Sequence, residues 1–359
     1  MALASLFLTL YGIAAFAVAL LYFRPRRQSF VESFPPGPES PTMPTLDSWV
    51  QYQQWGREYG DLVYIRKHNM LIINHARVAI DLLEKHARIY SDRPMTQVMK
   101  LCGFNDILSL EKYSDKWRGN RRLFQQNFRQ SASRRFYPAQ YRKIHQYLRD
   151  LTAPQKNLCS TPCQCLKTLV FHDPLSQKAI EAVSLIGRAI LEPFPAVELF
   201  PWLRFMPSWF PGCGFQQVAN KCAQYFHEVD TIPFDRATMS SISSFLLAMV
   251  QNPDVQSKAQ AEIDHVIGRD RLPTLEDRRS LPYVESVYRE VMRMQPPLPL
   301  GLLHASIDDD FYRGYHIPKG CTVVTNLWAM GRDPDVYSEP DKFMPERFHG
   351  LSKWAIYEH

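Results

Sequence analysis

The stretch from Leu281 to Met294, LPYVESVYREVMRM, constrains this chain of 359 residues more than any other. Its apolar side chains fall at Val284, Val287, Tyr288, Val291 and Met294, close to the 3.6-residue period of a helix with one buried face. Pro282 sits in the first turn, where a missing N–H costs nothing, and Pro296 and Pro297 stop the helix. Glu290 and Arg293 are three apart and share a face. A solvated pair of that kind contributes under ~1 kcal/mol. Glu276 and Arg279 repeat the spacing in the loop just before, so spacing alone decides nothing. Context distinguishes the second copy: a helix around it, the stop PPLPLG after it, a strand-like run, and then FMPERF from Phe343 to Phe348.

A helical E-x-x-R followed by F-x-P-E-R-F in this order resembles the cytochrome P450 family of haem-thiolate monooxygenases. The resemblance implies a mainly α fold with a small β-sheet lobe (α+β). It also implies that Glu290, Arg293 and Arg347 form a buried three-way ion pair. A planar Arg fork grips a carboxylate bidentately, so two of them can saturate one Glu.

Hydrophobic content of 45% supports a substantial core, and the net charge, 42 − 36 = +6, gives no argument for a nucleic-acid partner. Seven cysteines are few and odd in number, which suits a reduced cytosolic setting for the folded part. Ala2–Phe23 carries no charge and is long enough to cross the ~30 Å hydrocarbon layer. Arg24, Arg26 and Arg27 follow it, so the positive-inside rule puts the remainder on the cytosolic side. A cleaved signal peptide is the alternative. The expected organisation is an anchor over 1–23, a basic, Pro-rich linker over 24–45 and a partial P450 domain over 46–359. FPPGP from Phe34 reads as a stiff extended spacer, and a PPGP segment after an anchor also resembles microsomal members of the family.

Further along, periodicity predicts a helix over 46–59, a hairpin over 62–66 and 70–74 around Lys67–Asn69, and a helix over 77–86. Helices are also expected over 113–128, 137–151, 173–191, 216–227 and 252–268, with strands over 302–304 and 317–325. Trp117 and Arg121 lie four apart in the 113–128 helix. By spacing alone they could be part of a solvated basic face. The resemblance implies instead that they hold one haem propionate, an indole N–H and a guanidinium both suiting a carboxylate. His304 matches a position where a basic residue meets the second propionate; a strand-edge His is the other reading.

Three stretches depart from the family pattern. Cys159, Cys163 and Cys165 have no standard zinc spacing. Met239–Gln251 resembles the second half of the central helix that crosses the haem. The expected acid–Thr pair, which would deliver protons to bound oxygen, falls at Arg236 and Ala237, so no catalytic residue is intact by this reading. Two or three helices between the aromatic loop 199–215 and this point are expected to be absent. The axial-Cys loop F-x-x-G-x-R-x-C-x-G does not occur in the sequence, and Cys102 and Cys321 read as small buried hydrophobes. PDVQSKAQAEIDHVIGRDRLPTLEDRRSLPYV resembles fungal microsomal enzymes related to O-methylsterigmatocystin oxidoreductase. That resemblance implies haem iron as cofactor, an NADPH-cytochrome reductase and membrane lipid as partners, an apolar substrate and an endoplasmic-reticulum location. The missing parts make impaired or absent activity the expectation. A non-catalytic, membrane-anchored relic that retains part of the fold is the alternative, and a helical adaptor unrelated to the family is a third.

Overall fold

The computed structural model describes residues 33–152, 197, 200–208, 214–228 and 232–349, apart from 40, 45–46, 104–107, 130–131 and 133. The apolar run Ala2–Phe23, the cysteines from Cys159 to Cys165 and the expected helix over 173–191 lie outside the described residues. No described helix is long and apolar enough to cross a membrane.

Strict alternation builds the sheet. β1 (Leu62–Ile65) and β2 (Met70–Ile73) pair antiparallel, joined by one 3-10 turn at Arg66–His68 with Asn69 in the left-handed region (φ 45). Leu62, Tyr64, Leu71 and Ile73 face one core, with Val78, Leu82, Tyr90, Ile317 and Val323. Val63, Ile65 and Ile72 face the other, with Tyr52, Trp55 and Val324. Period-2 side-chain geometry sends successive residues to opposite faces, and here both faces are covered. Helix α1 (Ser48–Tyr59) supplies the second cover and ends at Gly60, whose φ of 104 favours glycine.

The remaining strands come from the far end of the chain. β3 (His304–Ala305), β4 (Asp310–Tyr312), β5 (Tyr315–Ile317) and β6 (Thr322–Thr325) complete a four-stranded sheet, in order β1-β2-β6-β3, and a separate β4–β5 hairpin. β6 pairs parallel to β2 and antiparallel to β3. The expected strand over 317–325 is therefore two strands, broken at Pro318 and Gly320, which turn the chain (φ 75 at Gly320).

The expected helix over 77–86 is α2 (Ala76–Ile80), a π-helical stretch at Asp81–Lys85 and α3 (Ala87–Tyr90). α4 (Gln97–Leu101) follows, capped by Thr96, and then α5 (Asp115–Phe128), where Ser114 accepts from the Trp117 N–H at 3.1 Å. α6 (Tyr137–Thr152), α7 (Phe215–Glu228) and α8 (Ile232–Gln251) come next. α7 packs on α4, and α8 packs on both α9 (Pro253–Val266) and α10 (Pro282–Met294). Glu262 of α9 accepts from the Tyr283 and Val284 N–H groups, both at 2.9 Å, so one carboxylate caps α10 from a neighbouring helix. α11 (Leu327–Met330) is capped by Asn326.

Part of the expected linker is packed rather than free. The Tyr64 N–H donates to Pro36 O (3.0 Å) and the His316 N–H to Ser33 O (2.9 Å), tying 33–38 to β1 and to β5. Phe34 stacks on Tyr64 at 5.2 Å, and the Arg66 guanidinium lies over the Phe34 ring at 4.8 Å. A Cβ at Gly37 would come within 2.3 Å of Tyr64 O, so only glycine lets the strap lie this close.

Candidate functional site

Glu290 is fully buried at the centre of α10's inner face. Arg293 grips it with two bonds, Nε to Oε2 at 2.7 Å and Nη2 to Oε1 at 2.8 Å. Arg347 donates Nε to Oε1 at 3.1 Å, and the Met344 N–H adds a fourth bond at 2.8 Å. The guanidiniums spend their other donors on main-chain carbonyls. Arg293 reaches Gly331 O (2.5 Å) and Pro340 O (2.7 Å); Arg347 reaches Ser338 O (2.8 Å) and Lys342 O (3.2 Å). One carboxylate and two Arg forks thus fix 331–348, an irregular stretch that ends in a 3-10 turn at Pro345–Phe348, against α10. The Met344 bond and the carbonyl cage were not foreseen from sequence, since neither has a side-chain signature. The competing pair Glu276 and Arg279 is exposed and makes no ion pair among the described residues.

Gly331 shows how closely this part is packed: a Cβ there would meet Arg293 O at 2.5 Å. Beside it Arg332 lies over the Trp328 ring at 3.2 Å and donates to Met294 O at 2.8 Å. Burial lowers its guanidinium to about 10.

A second constellation is basic. Arg121 lies over the Trp117 ring, 5.1 Å from its centroid, because positions four apart on α5 stack. Arg93, just after α3, donates to Leu303 O at 2.7 Å, which ties it to the start of β3. Burial, and then the charge of Arg121, lower the Arg93 guanidinium. On β3, His304 holds its Nδ1 2.8 Å from Tyr90 O. Burial first and Arg93 second push the imidazole down to about 4. The structure thus brings Trp117, Arg121 and His304 together around Arg93, which sequence reasoning missed. Arg93-Pro94 reads there only as a helix breaker, and its partner carbonyl is 210 residues away.

Two guanidiniums that repel one another, an indole and an imidazole converge here, and neither Arg93 nor Arg121 pairs with a carboxylate among the described residues. This donor set fits an anionic group with two carboxylates, as the two propionates of haem require. Neither Cys102 nor Cys321 fits a thiolate role. Cys102 and Cys321 are buried, and burial pushes the Cys321 thiol up to about 12 in the core of the sheet. Arg236 and Ala237 lie within the helical span of α8. On α5 itself Leu123, Phe124 and Phe128 are exposed, and no residue of the helix is buried.

The sequence profile of the family Cytochrome P450 matches residues 236–353. The chain is 30% identical to cytochrome P450 monooxygenase COX1 of Coprinopsis cinerea over 390 residues, covering 88% of this chain and 75% of that protein. It is 33% identical to cytochrome P450 monooxygenase 208 of Postia placenta over 405 residues, covering 94% and 79%. The match to monooxygenase 136 of the same fungus runs over 425 positions but takes in 96% of 359 residues, about 345, so about 80 of its positions face a gap in this chain. The fold is similar to that of a zebrafish cytochrome P450 solved with progesterone, at TM-score 0.61 and 22% identity over 84% of each chain. Relatives at this identity, matched over three quarters or more of their own length, establish that the chain belongs to the cytochrome P450 family.

Proposed function

We propose that this chain oxygenates an apolar small molecule, with haem held by Trp117, Arg121, Arg93 and His304 and electrons drawn from NADPH through a cytochrome reductase. One observation carries the reading: the basic groups around Arg93 converge, and neither Arg93 nor Arg121 makes an ion pair with a carboxylate among the described residues. Bound there, haem supplies dioxygen activation, the chemistry common to the family. The chain's own residues do the rest. Arg93 and Arg121 neutralise the propionates, the Trp117 indole N–H can donate to one of them, and the Glu290–Arg293–Arg347 hub keeps 331–348 rigid.

The apolar run Ala2–Phe23 is proposed as a single-pass anchor in the endoplasmic-reticulum membrane, with 46–359 as a partial P450 domain on the cytosolic side. Arg236 and Ala237 stand where an acid–Thr pair would relay protons, and neither side chain can do so. Turnover by these residues is therefore slow and wasteful of NADPH. That same substitution favours a second reading, a binding protein that has kept the fold without the reaction.

Titration of the full chain with haemin, followed by tryptophan fluorescence and the Soret band, tests the proposal. Saturable one-to-one binding that weakens at least tenfold in Arg121→Ala is expected; no binding, or binding indifferent to Arg121, refutes the haem site. A reduced-CO band at the thiolate position together with efficient product formation would refute the impairment.

A further inference from the structure

An arginine stays charged at any physiological pH, whereas a histidine need not. The His304 ring is oriented by its Nδ1, 2.8 Å from Tyr90 O. A carbonyl only accepts, so Nδ1 carries a hydrogen in both protonation states and the titrating atom is Nε2. When neutral, Nε2 presents a lone pair and repels a carboxylate; when protonated, it donates to one.

The surroundings keep it neutral. Arg93, in the loop after α3, is bonded to Leu303 O one residue before His304 and puts its charge near the ring, and Arg121 from α5 adds to the positive field at Arg93. Asp92, the nearest acid in sequence, offsets part of this field at Arg93, while its Oδ1 accepts from the Tyr113 N–H at 2.9 Å and its Oδ2 lies 3.9 Å from Lys112. Across the sheet the residue opposite His304 is Val323, which carries no charge. Burial is the larger cause and Arg93 the smaller; against the partial offset of the Tyr90 carbonyl they bring the imidazole down to about 4. An anion placed among Arg93, Arg121 and His304 would reverse the balance of charge.

We propose that His304 is a proton-linked latch: seating a propionate-bearing tetrapyrrole beside Arg93 and Arg121 draws one proton onto its Nε2. The inference rests on the haem reading above. Its sign follows from linkage. The ligand prefers the protonated ring, so the pKa of His304 is higher in the complex than in the free protein, and affinity falls as pH rises. The slope is at most tenfold per pH unit between the two pKa values and vanishes above the higher one.

Metal-free protoporphyrin IX is the probe, since it has the propionates and no iron to ligate; its dimethyl ester is the control. Binding to the full chain in detergent is followed by porphyrin fluorescence between about pH 5 and pH 7.5, a window around the ordinary histidine value. The wild type should bind the free acid about tenfold or more tightly at the low end, and the ester without that gain. His304→Arg should bind tightly with the His304-dependent slope gone, and His304→Gln should bind weakly and equally flatly. Titration of the propionates themselves is shared by all three proteins and cancels in the comparison. Wild-type binding that is flat with pH, or an undiminished slope in His304→Gln, would overturn the latch while leaving the haem site standing. Failure of the wild type to bind the free acid at any pH would overturn the haem site and the latch with it.

Discussion

Glu290→Ala removes a carboxylate that accepts four N–H donors, two from Arg293, one from Arg347 and one from the Met344 main chain. Alanine leaves two guanidiniums facing each other across a void inside the protein. The Arg293 side chain is only 3% exposed, so water does not reach it easily. Breaking a buried pair in this way costs about 3–5 kcal/mol. Each guanidinium keeps its carbonyl partners, which limits the rearrangement and places the expected loss near ~4 kcal/mol, against a typical total of ~5–15 kcal/mol. Glu290→Gln preserves shape but turns one amide N–H₂ towards an Arg donor, so an intermediate loss of ~2–3 kcal/mol is expected. Glu276→Ala, at the same spacing from an Arg but exposed, should change stability by less than ~0.5 kcal/mol. Urea unfolding followed by circular dichroism measures all three, with the midpoint falling and the slope unchanged. A loss below ~1 kcal/mol in Glu290→Ala, or an equal loss in Glu276→Ala, would refute the view that this carboxylate holds 331–348 in place.

Three other perturbations probe neighbouring features. Gly331→Ala forces a methyl to within 2.5 Å of Arg293 O and 3.3 Å of Leu327 O, both main chain, and should cost about 1–3 kcal/mol in the same assay; an unchanged midpoint would mean the backbone gives way freely. Glu262→Ala strips the cap from the Tyr283 and Val284 N–H groups and should cost about 1–2 kcal/mol, with Gln recovering part of it; a loss no larger than in a surface control counts against the cap. Burial pushes the phenols of Tyr52 and Tyr64 up to about 12, above their ordinary 10. Both are neutral in the folded protein, so their contribution is intact below about pH 10 and is lost as pH climbs towards about 12. The melting temperature should hold to about pH 9.5 and then fall, less steeply in Tyr52→Phe; a flat profile to pH 12 would contradict this.

The parts of the fold that sequence made legible are those written in local chemistry. The hairpin at 62–65 and 70–73 follows from two short apolar runs around Lys67–Asn69. α10 follows from its period and its two proline boundaries. The parts that escaped are written in distant pairings. Nothing in Thr322–Thr325 announces that it will lie parallel to β2 rather than beside a sequence neighbour. The β4–β5 hairpin hides in DDDFYRGYHI, where charged residues mask the alternation and only the Arg313–Gly314 turn, with φ 51 and 83, punctuates it. The strap at 33–38 looked like a spacer because proline-rich composition describes stiffness and says nothing of what the segment touches. In the candidate site, Trp117 and Arg121 carried a helical spacing that could be read. Arg93 gains its position through the distant Leu302 and Leu303 carbonyls, and His304 stands out by its place in the order of motifs, with no sign of the Tyr90 carbonyl that orients it.

The side-by-side pairing of β2 and β6 sets a timetable for synthesis. Asn74 and Asn326, bonded to each other beside that pairing, are 252 residues apart. At ~5–20 residues per second a ribosome needs about 13–50 s to travel from one to the other. Throughout that interval the first hairpin is a finished half-sheet with an open edge and an apolar face, the kind of surface that recruits holding chaperones or pairs with the wrong neighbour. Each ~80 residues fewer between the two strands would shorten that wait by ~4–16 s. Exposure of the newborn lobe is thus governed by how much sequence is spliced between its two halves, independently of how stable the completed sheet becomes.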